Sequence, residues 1–215
     1  MHADETLENR RAFLFDGAGN DTFEVSAASR IGQLTGSGVF LQALLFQTFS
    51  AVANAGGQDL ALLYDSAGDD TFVSRPTVSL LRGAGGFLAE VVGFEAVSGR
   101  STAGGFDQAF LEDTAGNDAF AGTATASQII GGGLVWDALG FDVVAARKLR
   151  GGFDVATLLD TAGNDTLSTT PTQVNLASPA GLYLQTLNFD RVIVQAVHGN
   201  TGGVGDRAFL NDSPG

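Results

Sequence analysis

A repeat of about 48 residues is the feature of this chain that most restricts its fold. The segment from Leu14 to Phe23 returns from Leu63 to Phe72, and two further copies begin at Leu111 and Leu158. The first aspartate of each copy marks the period, with steps of 49, 48, 47 and 52 residues, at Asp16, Asp65, Asp113, Asp160 and Asp212. A chain with such a period folds as an array or ring of similar units, each packed mainly on its neighbours.

Two further motifs recur at fixed distances from the first. One reads Asp-x-Ala-x-Leu-x-Asp and ends on the motif aspartate, although Arg10 replaces its leading aspartate in the first copy. The other places a phenylalanine before an acidic or amide side chain, at Phe46, Phe94, Phe141 and Phe189. We therefore divide the chain into a polar segment, 1–9, and one repeat domain, 10–215, with units at about 10–58, 59–106, 107–153 and 154–205 and a partial fifth unit at 206–215.

The periodicity inside each unit is that of β-strands. In Asp-x-Ala-x-Leu-x-Asp the fixed positions alternate with variable ones, which predicts a strand whose alanine and leucine face the core. The other segments are rich in valine, phenylalanine, threonine and leucine, and glycine or proline separates them. No segment shows a sustained helical pattern with capping residues. The sequence therefore predicts an all-β fold.

Two architectures fit an all-β unit of this length. The first is a β-solenoid, or β-helix-like array, in which each unit makes two coils of about 24 residues. Single residues inside extended segments favour it, because one residue can bend a chain at a corner but cannot reverse it, at Gly93, Gly140, Asn188, Pro76 and Pro171. Five copies of the strand motif against four full units also favour an open array over a closed ring.

The alternative architecture is a four-bladed β-propeller or an antiparallel meander. Its support is the spacing of Asp65 and Asp70, which could flank a four-residue hairpin loop. Leu63 would then lie beside Phe72 on the same face of a sheet. The solenoid is our prediction, and the propeller or meander is its alternative.

Composition excludes several classes of function. The chain has 24 acidic against 11 basic side chains, a net charge of −13. That charge repels phosphate backbones, so we expect no nucleic-acid partner. The absence of cysteine excludes a disulfide scaffold, a zinc-thiolate site and a cysteine nucleophile. No apolar run reaches about 18 residues, so we expect no membrane insertion.

The acidity is periodic, since 14 of the 18 aspartates lie in the repeated motifs. The turn Asp-x-x-Gly-[Asn/Asp]-Asp brings carboxylates together, and they repel one another unless a cation or backbone N–H groups lie between them. Calcium fits because it takes six to eight oxygen ligands in flexible geometry. The alternative is a turn held by side-chain-to-backbone hydrogen bonds alone. The predicted metal ligands are Asp16, Asn20, Asp21, Asp65, Asp69, Asp70, Asp113, Asn117, Asp118, Asp160, Asn164 and Asp165.

Two resemblances bear on function. The segment 17–23, Gly-Ala-Gly-Asn-Asp-Thr-Phe, is distantly similar to the calcium-binding nonapeptide of RTX (hemolysin-type) β-rolls, although RTX motifs recur every nine residues. The whole pattern of about 48 residues resembles the tandem repeats of long bacterial extracellular proteins. The second resemblance implies a secreted, non-enzymatic array.

We therefore expect a structural module outside the cell or at its surface: a spacer, an adhesin stalk or a surface-layer component. Open strand edges predict end-to-end self-association, and a polysaccharide or cell-surface component is the expected partner class. The alternative is a carbohydrate-binding or carbohydrate-active β-helix, with Trp136 or Tyr183 as a sugar platform. Catalysis is disfavoured because the acids repeat alike in every unit. We also expect the four motif phenylalanines to form an internal aromatic stack.

Overall fold

A computed structural model describes residues 10–198 and 205–211 of the chain. The predicted polar segment 1–9 and the motif aspartate Asp212 lie outside the described residues. Within those two ranges the fold is all-β and has no α-helix, the one helical element being a 3-10 turn at Ala84–Gly86. Accordingly, the described part of the chain contains no helix of the length and hydropathy needed to cross a membrane.

Each full unit contributes five strands. The first unit forms β1 (Arg11–Phe15), β2 (Thr22–Ser26), β3 (Ile31–Gly36), β4 (Val39–Leu44) and β5 (Thr48–Val52). The second forms β6 (Leu60–Tyr64), β7 (Thr71–Ser74), β8 (Val78–Gly83), β9 (Phe87–Val92) and β10 (Ala96–Arg100). The third forms β11 (Gln108–Glu112), β12 (Ala119–Gly122), β13 (Ala126–Gly131), β14 (Leu134–Leu139) and β15 (Val143–Arg147). The fourth forms β16 (Val155–Leu159), β17 (Thr166–Thr170), β18 (Gln173–Ala177), β19 (Tyr183–Leu187) and β20 (Arg191–Gln195), and β21 (Arg207–Leu210) begins the partial fifth.

The strands form two sheets that enclose the core. Sheet 1 has 11 strands in the order β1-β5-β9-β8-β7-β11-β15-β19-β18-β17-β21. Sheet 2 has 10 strands in the order β20-β16-β12-β13-β14-β10-β6-β2-β3-β4. Within a unit the first and fifth strands lie in one sheet, and the middle three form an antiparallel meander in the other. The sheets exchange these roles from unit to unit, because the chain crosses between sheets three times per unit.

The predicted β-solenoid is confirmed, but its path differs from the predicted two coils per unit. In the meander of the second unit, the first strand lies farthest along the array and the third lies nearest the preceding unit. β7 therefore pairs with β11 of the next unit, and β9 pairs with β5 of the preceding one. Both pairs are parallel and tie successive units together. Five strands shared between two sheets advance each sheet by two and a half strand positions, or about 12 Å per unit.

Three of the five predicted corners are correct. Gly93 (φ 83°), Gly140 (φ 79°) and Asn188 (φ 61°) stand where the chain leaves one sheet for the other. The prediction is wrong for Pro76 and Pro171. These prolines lie in the reversals between antiparallel strands, β7 with β8 and β17 with β18, where no backbone N–H is needed for pairing.

The hairpin interpretation of Asp65 and Asp70 is also wrong. β6 lies in sheet 2 and β7 in sheet 1, so the turn between them is a crossing. Phe72 pairs instead with Leu81 of its own meander and with Ala109 of the next unit.

The core follows the predicted strand face. In the second, third and fourth units the alanine and leucine of the strand motif are fully buried, at Ala61, Leu63, Ala109, Leu111, Ala156 and Leu158, whereas Ala208 and Leu210 of the end strand β21 are exposed. Phe110, at a variable position, is half-buried, with the guanidinium of Arg147 4.6 Å from its ring centre. Trp136 is 1% exposed and packs in the core, so it offers no sugar platform.

The motif phenylalanines pair with other rings and do not stack on one another. Each of three pairs with a meander phenylalanine of the preceding unit, with ring centres 6.0 to 6.4 Å apart: Phe94 with Phe23, Phe141 with Phe72 and Phe189 with Phe120. The fourth, Phe46, packs edge-on against Phe49 of its own unit. The predicted aromatic stack is thus replaced by pairs that join neighbouring units.

Candidate metal centre at the aspartate corners

Parallel strand pairing brings aspartates from two successive units together. β2 pairs with β6 so that Thr22 lies opposite Leu60, which places Asp21 beside Asp59 just before the two strands begin. The backbone N–H of Asp21 donates to Asp59 Oδ1 at 2.8 Å. The same bond recurs in every unit, from Asp70 to Asp107 (2.8 Å), from Asp118 to Asp154 (2.7 Å) and from Asp165 to Asp206 (2.9 Å).

Each crossing turn therefore carries three carboxylates, the first and last aspartates of the turn and the leading aspartate of the next unit. We call these groups the first to fourth corners. In each corner one carboxylate oxygen per residue lies within 4.8 Å of the other two. The members are Asp16, Asp21 and Asp59; Asp65, Asp70 and Asp107; Asp113, Asp118 and Asp154; and Asp160, Asp165 and Asp206.

The structure places eight of the twelve predicted ligands in these corners, namely Asp16, Asp21, Asp65, Asp70, Asp113, Asp118, Asp160 and Asp165. The fifth turn position has another role. Its side chain accepts a backbone N–H of the next unit, from Gln58 to Asn20 (2.9 Å), from Phe106 to Asp69 (2.9 Å) and from Phe153 to Asn117 (2.8 Å). Asn164 holds the equivalent position in the fourth turn.

Sequence reasoning missed the third member of each corner: Asp59, Asp107, Asp154 and Asp206. The signal was present, because the leading aspartate of Asp-x-Ala-x-Leu-x-Asp recurs as faithfully as the turn. Taken alone, this aspartate marks only the start of a strand, since the pairing of β2 with β6 and its equivalents cannot be read from one unit.

In the first three corners, the leading aspartate donates its backbone N–H to a further acidic side chain of its own unit. The backbone N–H of Asp59 donates to Glu95 Oε2 at 2.8 Å, that of Asp107 to Asp142 Oδ2 at 2.8 Å and that of Asp154 to Asp190 Oδ2 at 2.7 Å. These acceptors are the acids of the phenylalanine motif. They satisfy the N–H groups that precede paired strands, which explains why an acid follows the phenylalanine.

Glycine makes room for three of the corners, at Gly36, Gly83 and Gly131, where an added Cβ would lie 2.5 Å or less from a carboxylate oxygen. A Cβ on Gly36 would lie 1.6 Å from Asp21 Oδ1, and one on Gly131 would lie 1.6 Å from Asp118 Oδ1. At Gly57 (φ 140°) a Cβ would lie 2.1 Å from the carbonyl oxygen of Gly19 in the preceding turn. The repeated glycines thus let buried carboxylates and neighbouring turns approach closely.

The corners differ in the hydroxyl donors around the last turn aspartate. Ser66 Oγ donates to Asp70 at 2.8 Å, Thr114 Oγ1 to Asp118 at 3.0 Å and Thr161 Oγ1 to Asp165 at 2.9 Å. In the first corner the equivalent residue is Gly17, which has no side-chain donor. Neither oxygen of Asp21 has a hydrogen-bond partner among the described residues, although Asp21 is only 2% exposed.

The corners also differ around the leading aspartate. In the second, Ser101 Oγ donates to Asp107 Oδ2 at 2.6 Å. In the third, Lys148 Nζ lies 3.4 Å from Asp154 Oδ2, and it also bonds Asp190. The equivalent residue in the first corner is Ala53, and in the fourth it is Ala196.

Two corners have further basic groups beside the first turn aspartate. Arg150 lies 3.3 Å from Asp113, and His198 Nδ1 lies 3.0 Å from Asp160. Within residues 10–198 and 205–211, no basic side chain forms an ion pair with Asp16, Asp21 or Asp59. The first corner therefore has carboxylates without a cationic partner in the described chain.

The pKa directions reflect these surroundings. Burial raises the pKa of Asp59, and the neighbouring carboxylates of Glu95, Asp16 and Asp21 raise it further. Burial also raises the pKa of three aspartates against the opposing effect of their hydroxyl donors: Asp70, Asp107 and Asp118. Around Asp160 burial acts in the same direction, but the N–H groups of Val197 and His198 and the His198 ring outweigh it and lower the pKa.

Comparison with protein-family models, curated proteins and solved structures found no match. The chemistry of the corners thus stands on their own geometry. Oxygens within 4.8 Å of one another can share one ion at metal–oxygen distances of about 2.4 Å. These buried clusters of acids could hold a metal ion.

Proposed function

We propose that the chain is a non-enzymatic structural module outside the cell or at its surface, serving as a spacer, an adhesin stalk or a surface-layer component. The observation that carries this proposal is repetition. All four units bring the same three carboxylates to the same crossing between sheets. Catalysis requires one site that differs from its surroundings, whereas residues that recur in every unit serve the fold.

The dimensions of the array support a spacer. Eleven strands spaced by about 4.8 Å give sheet 1 a length of about 50 Å, while a five-residue strand spans about 17 Å. Each added unit lengthens the array by about 12 Å without changing its cross-section. Length is thus set by the number of units, which is the property that a spacer or stalk requires.

Small-angle X-ray scattering of the 215-residue chain tests this shape. We expect a pair-distance distribution with a long tail beyond the cross-sectional peak. A pull-down on insoluble polysaccharides tests the partner class: a spacer without a binding surface is not retained. Specific retention on one polysaccharide would replace the spacer with a carbohydrate-binding module.

We propose calcium as the cation of the aspartate corners. Carboxylate oxygens are hard ligands, and calcium tolerates irregular oxygen sets better than magnesium, which prefers octahedral geometry with several waters. Extracellular modules also function with calcium sites of about 10⁻⁴ to 10⁻³ M. A calcium-dependent corner therefore suits the proposed location.

We also propose end-to-end self-association of the 215-residue chain. The end strands expose large apolar side chains, with Phe13 60%, Phe40 64% and Leu210 73% exposed. β1 and β21 share the tetrapeptide Arg-Ala-Phe-Leu, and each pairs on one side only within the described structure. Sedimentation velocity over a concentration series should show growing species, and a single monomer at high concentration would exclude this association.

A further inference from the structure

The four corners have the same carboxylates but different neighbours, and this difference indicates where an ion binds. We propose that the first corner, Asp16, Asp21 and Asp59, is the calcium-binding corner, and that hydroxyl donors and basic side chains of the chain stabilise the carboxylates of the second and third corners in place of an ion. This inference rests on the proposed calcium-stabilised module and specifies its site.

The first observation is the state of Asp21. Asp21 is only 2% exposed to solvent, and both of its carboxylate oxygens lack a hydrogen-bond partner among the described residues. Asp16 Oδ1 in the same corner is likewise buried and unpartnered. A buried anion without a donor or a counter-charge is strongly unfavourable, so three unpartnered carboxylate oxygens in one corner favour the binding of a cation there.

The second observation is that the sequence removes two donors from this corner. Gly17 stands where the other three corners have a serine or threonine hydroxyl. Ala53 stands where the second corner has Ser101 and the third has Lys148. The two substitutions leave the carboxylates in place and take away the groups that stabilise them elsewhere.

The third observation is that the first corner keeps the space for its carboxylate. Asp21 Oδ1 lies where a side chain on Gly36 would be, at 1.6 Å from an added Cβ. Asp16 is held at its other oxygen, because Asp16 Oδ2 accepts the N–H groups of Asn54 and Ala55 at 2.9 and 2.8 Å. The N–H of Asp21 holds Asp59 Oδ1. Backbone N–H groups thus hold the carboxylates of Asp16 and Asp59, and oxygens of Asp16 and Asp21 are left for a ligand.

In the third corner, basic side chains of the chain supply positive charge beside the carboxylates. Lys148 Nζ lies 3.4 Å from Asp154 Oδ2, and Arg150 lies beside Asp113. Only Asp118 Oδ1 and Asp154 Oδ2 lack a hydrogen bond there, and the latter is in ion-pair contact with Lys148. The Lys148 ammonium beside Asp154 thus supplies the third corner with the positive charge that we assign to calcium in the first.

The test is calcium titration of the full chain, first stripped with a chelator, by isothermal titration calorimetry near neutral pH. We expect one site stronger than any other. Asp21→Asn should weaken it at least about tenfold, because it removes a charged ligand. The matched variant Asp118→Asn, in the third corner, should leave the affinity within about twofold.

A second variant keeps the test decisive if Asp21→Asn folds poorly. Gly17→Ser with Ala53→Ser gives the first corner the two hydroxyl donors that Ser66 and Ser101 provide in the second. An added Cβ at Gly17 lies 3.1 Å from Val39 Cγ2, on a half-buried strand end, so a small shift accommodates it. We expect calcium affinity to fall at least about tenfold while the chelated chain melts at a higher temperature.

The outcomes separate this inference from the proposed function. Equal calcium binding in all corners, or loss of binding in Asp118→Asn but not in Asp21→Asn, would overturn the assignment to the first corner and leave a calcium-stabilised module. No calcium binding at all would overturn both the site and the calcium part of the proposal. In that case the spacer would still be judged by its shape.

Discussion

In the third corner, Lys148 and Arg150 lie beside Asp154 and Asp113, whereas Ala53 and Ala55 hold the two equivalent positions of the first corner. The two corners nevertheless share two features of the backbone: the last turn aspartate donates its N–H to the leading aspartate of the next unit, and the first turn aspartate accepts two N–H groups. The repeat thus preserves the positions of the carboxylates and leaves the source of positive charge to vary.

The first and third units also differ in how far neighbouring strands cover the last strand of their meander. In the third unit, β14 lies between β13 and β10 of the preceding unit, and its Trp136 is 1% exposed. The equivalent strand of the first unit, β4, pairs only with β3 in the described structure, and its Leu41 is 42% exposed. Burial in a solenoid depends on both neighbours, so one sequence position has different energetic weight in different units.

The largest expected effect tests this difference in covering. Trp136→Ala should lower the free energy of unfolding by about 3 to 5 kcal/mol, because it empties a large buried volume. Leu41→Ala should cost less than about 1 kcal/mol, because much of that side chain already contacts water. Urea denaturation at several protein concentrations measures both. Equal losses would mean that β4 is covered in solution, and a concentration-dependent loss at Leu41 would indicate self-association.

The fold was largely predictable from the sequence for local reasons. The alternation of Ala109 and Leu111 with variable positions identified the buried strand face, and the isolated Gly93 and Asn188 identified crossings between sheets. The direction of each reversal was not predictable in the same way. Pro76 and Gly93 both interrupt extended segments, yet one lies in an antiparallel reversal and the other in a crossing.

The candidate site was predictable only in part, for a related reason. Asp16 and Asp21 are five positions apart along the turn, so a sequence pattern can associate them. Asp59 joins them only because β2 and β6 pair in parallel in one register. Registers between units are non-local, and they also explain why Asn20 contacts the backbone of Gln58 and lies outside the cluster.

The second prediction concerns calcium itself. With calcium at about a hundredfold excess over its Kd, binding to the folded state alone adds about 2.7 kcal/mol, or about 5 to 10 °C in Tm for a chain of this size. Thermal unfolding after chelation, with calcium and with sodium at matched ionic strength, measures the shift. The shift should persist in Asp118→Asn and be lost in Asp21→Asn. An equal response to sodium would reduce the effect to screening of a chain with net charge −13.

A smaller effect is expected from the hydroxyl donors. Thr114→Val keeps the shape of a buried side chain and removes the hydroxyl that donates to Asp118 at 3.0 Å. Stability should fall by about 1.5 to 2.5 kcal/mol, as for a hydrogen bond to a charged group. Gly17→Ser should instead raise the stability of the chelated chain, because it supplies Asp21 with a hydroxyl donor. Chemical denaturation in chelator checks both, and changes of the same sign would break the proposed contrast between the corners.

The smallest expected effect is on the pH dependence of stability, and it concerns the third corner. Burial raises the pKa of Asp118, while the Thr114 hydroxyl opposes this and the carboxylates of Asp154 and Asp113 reinforce it. A group whose pKa is higher in the folded state than its ordinary value of 3.8 binds more protons when folded, so its contribution makes stability rise as pH falls toward that value. Below both pKa values the contribution is constant.

Denaturation in chelator from about pH 7 to about pH 4.5 should therefore show a small gain in stability that is reduced in Asp118→Asn. The gain due to Asp118 should persist when calcium is present, because Lys148 already holds the positive charge of that corner. If calcium abolishes the Asp118 contribution, an ion binds in the third corner as well, and the difference between the first and third corners disappears.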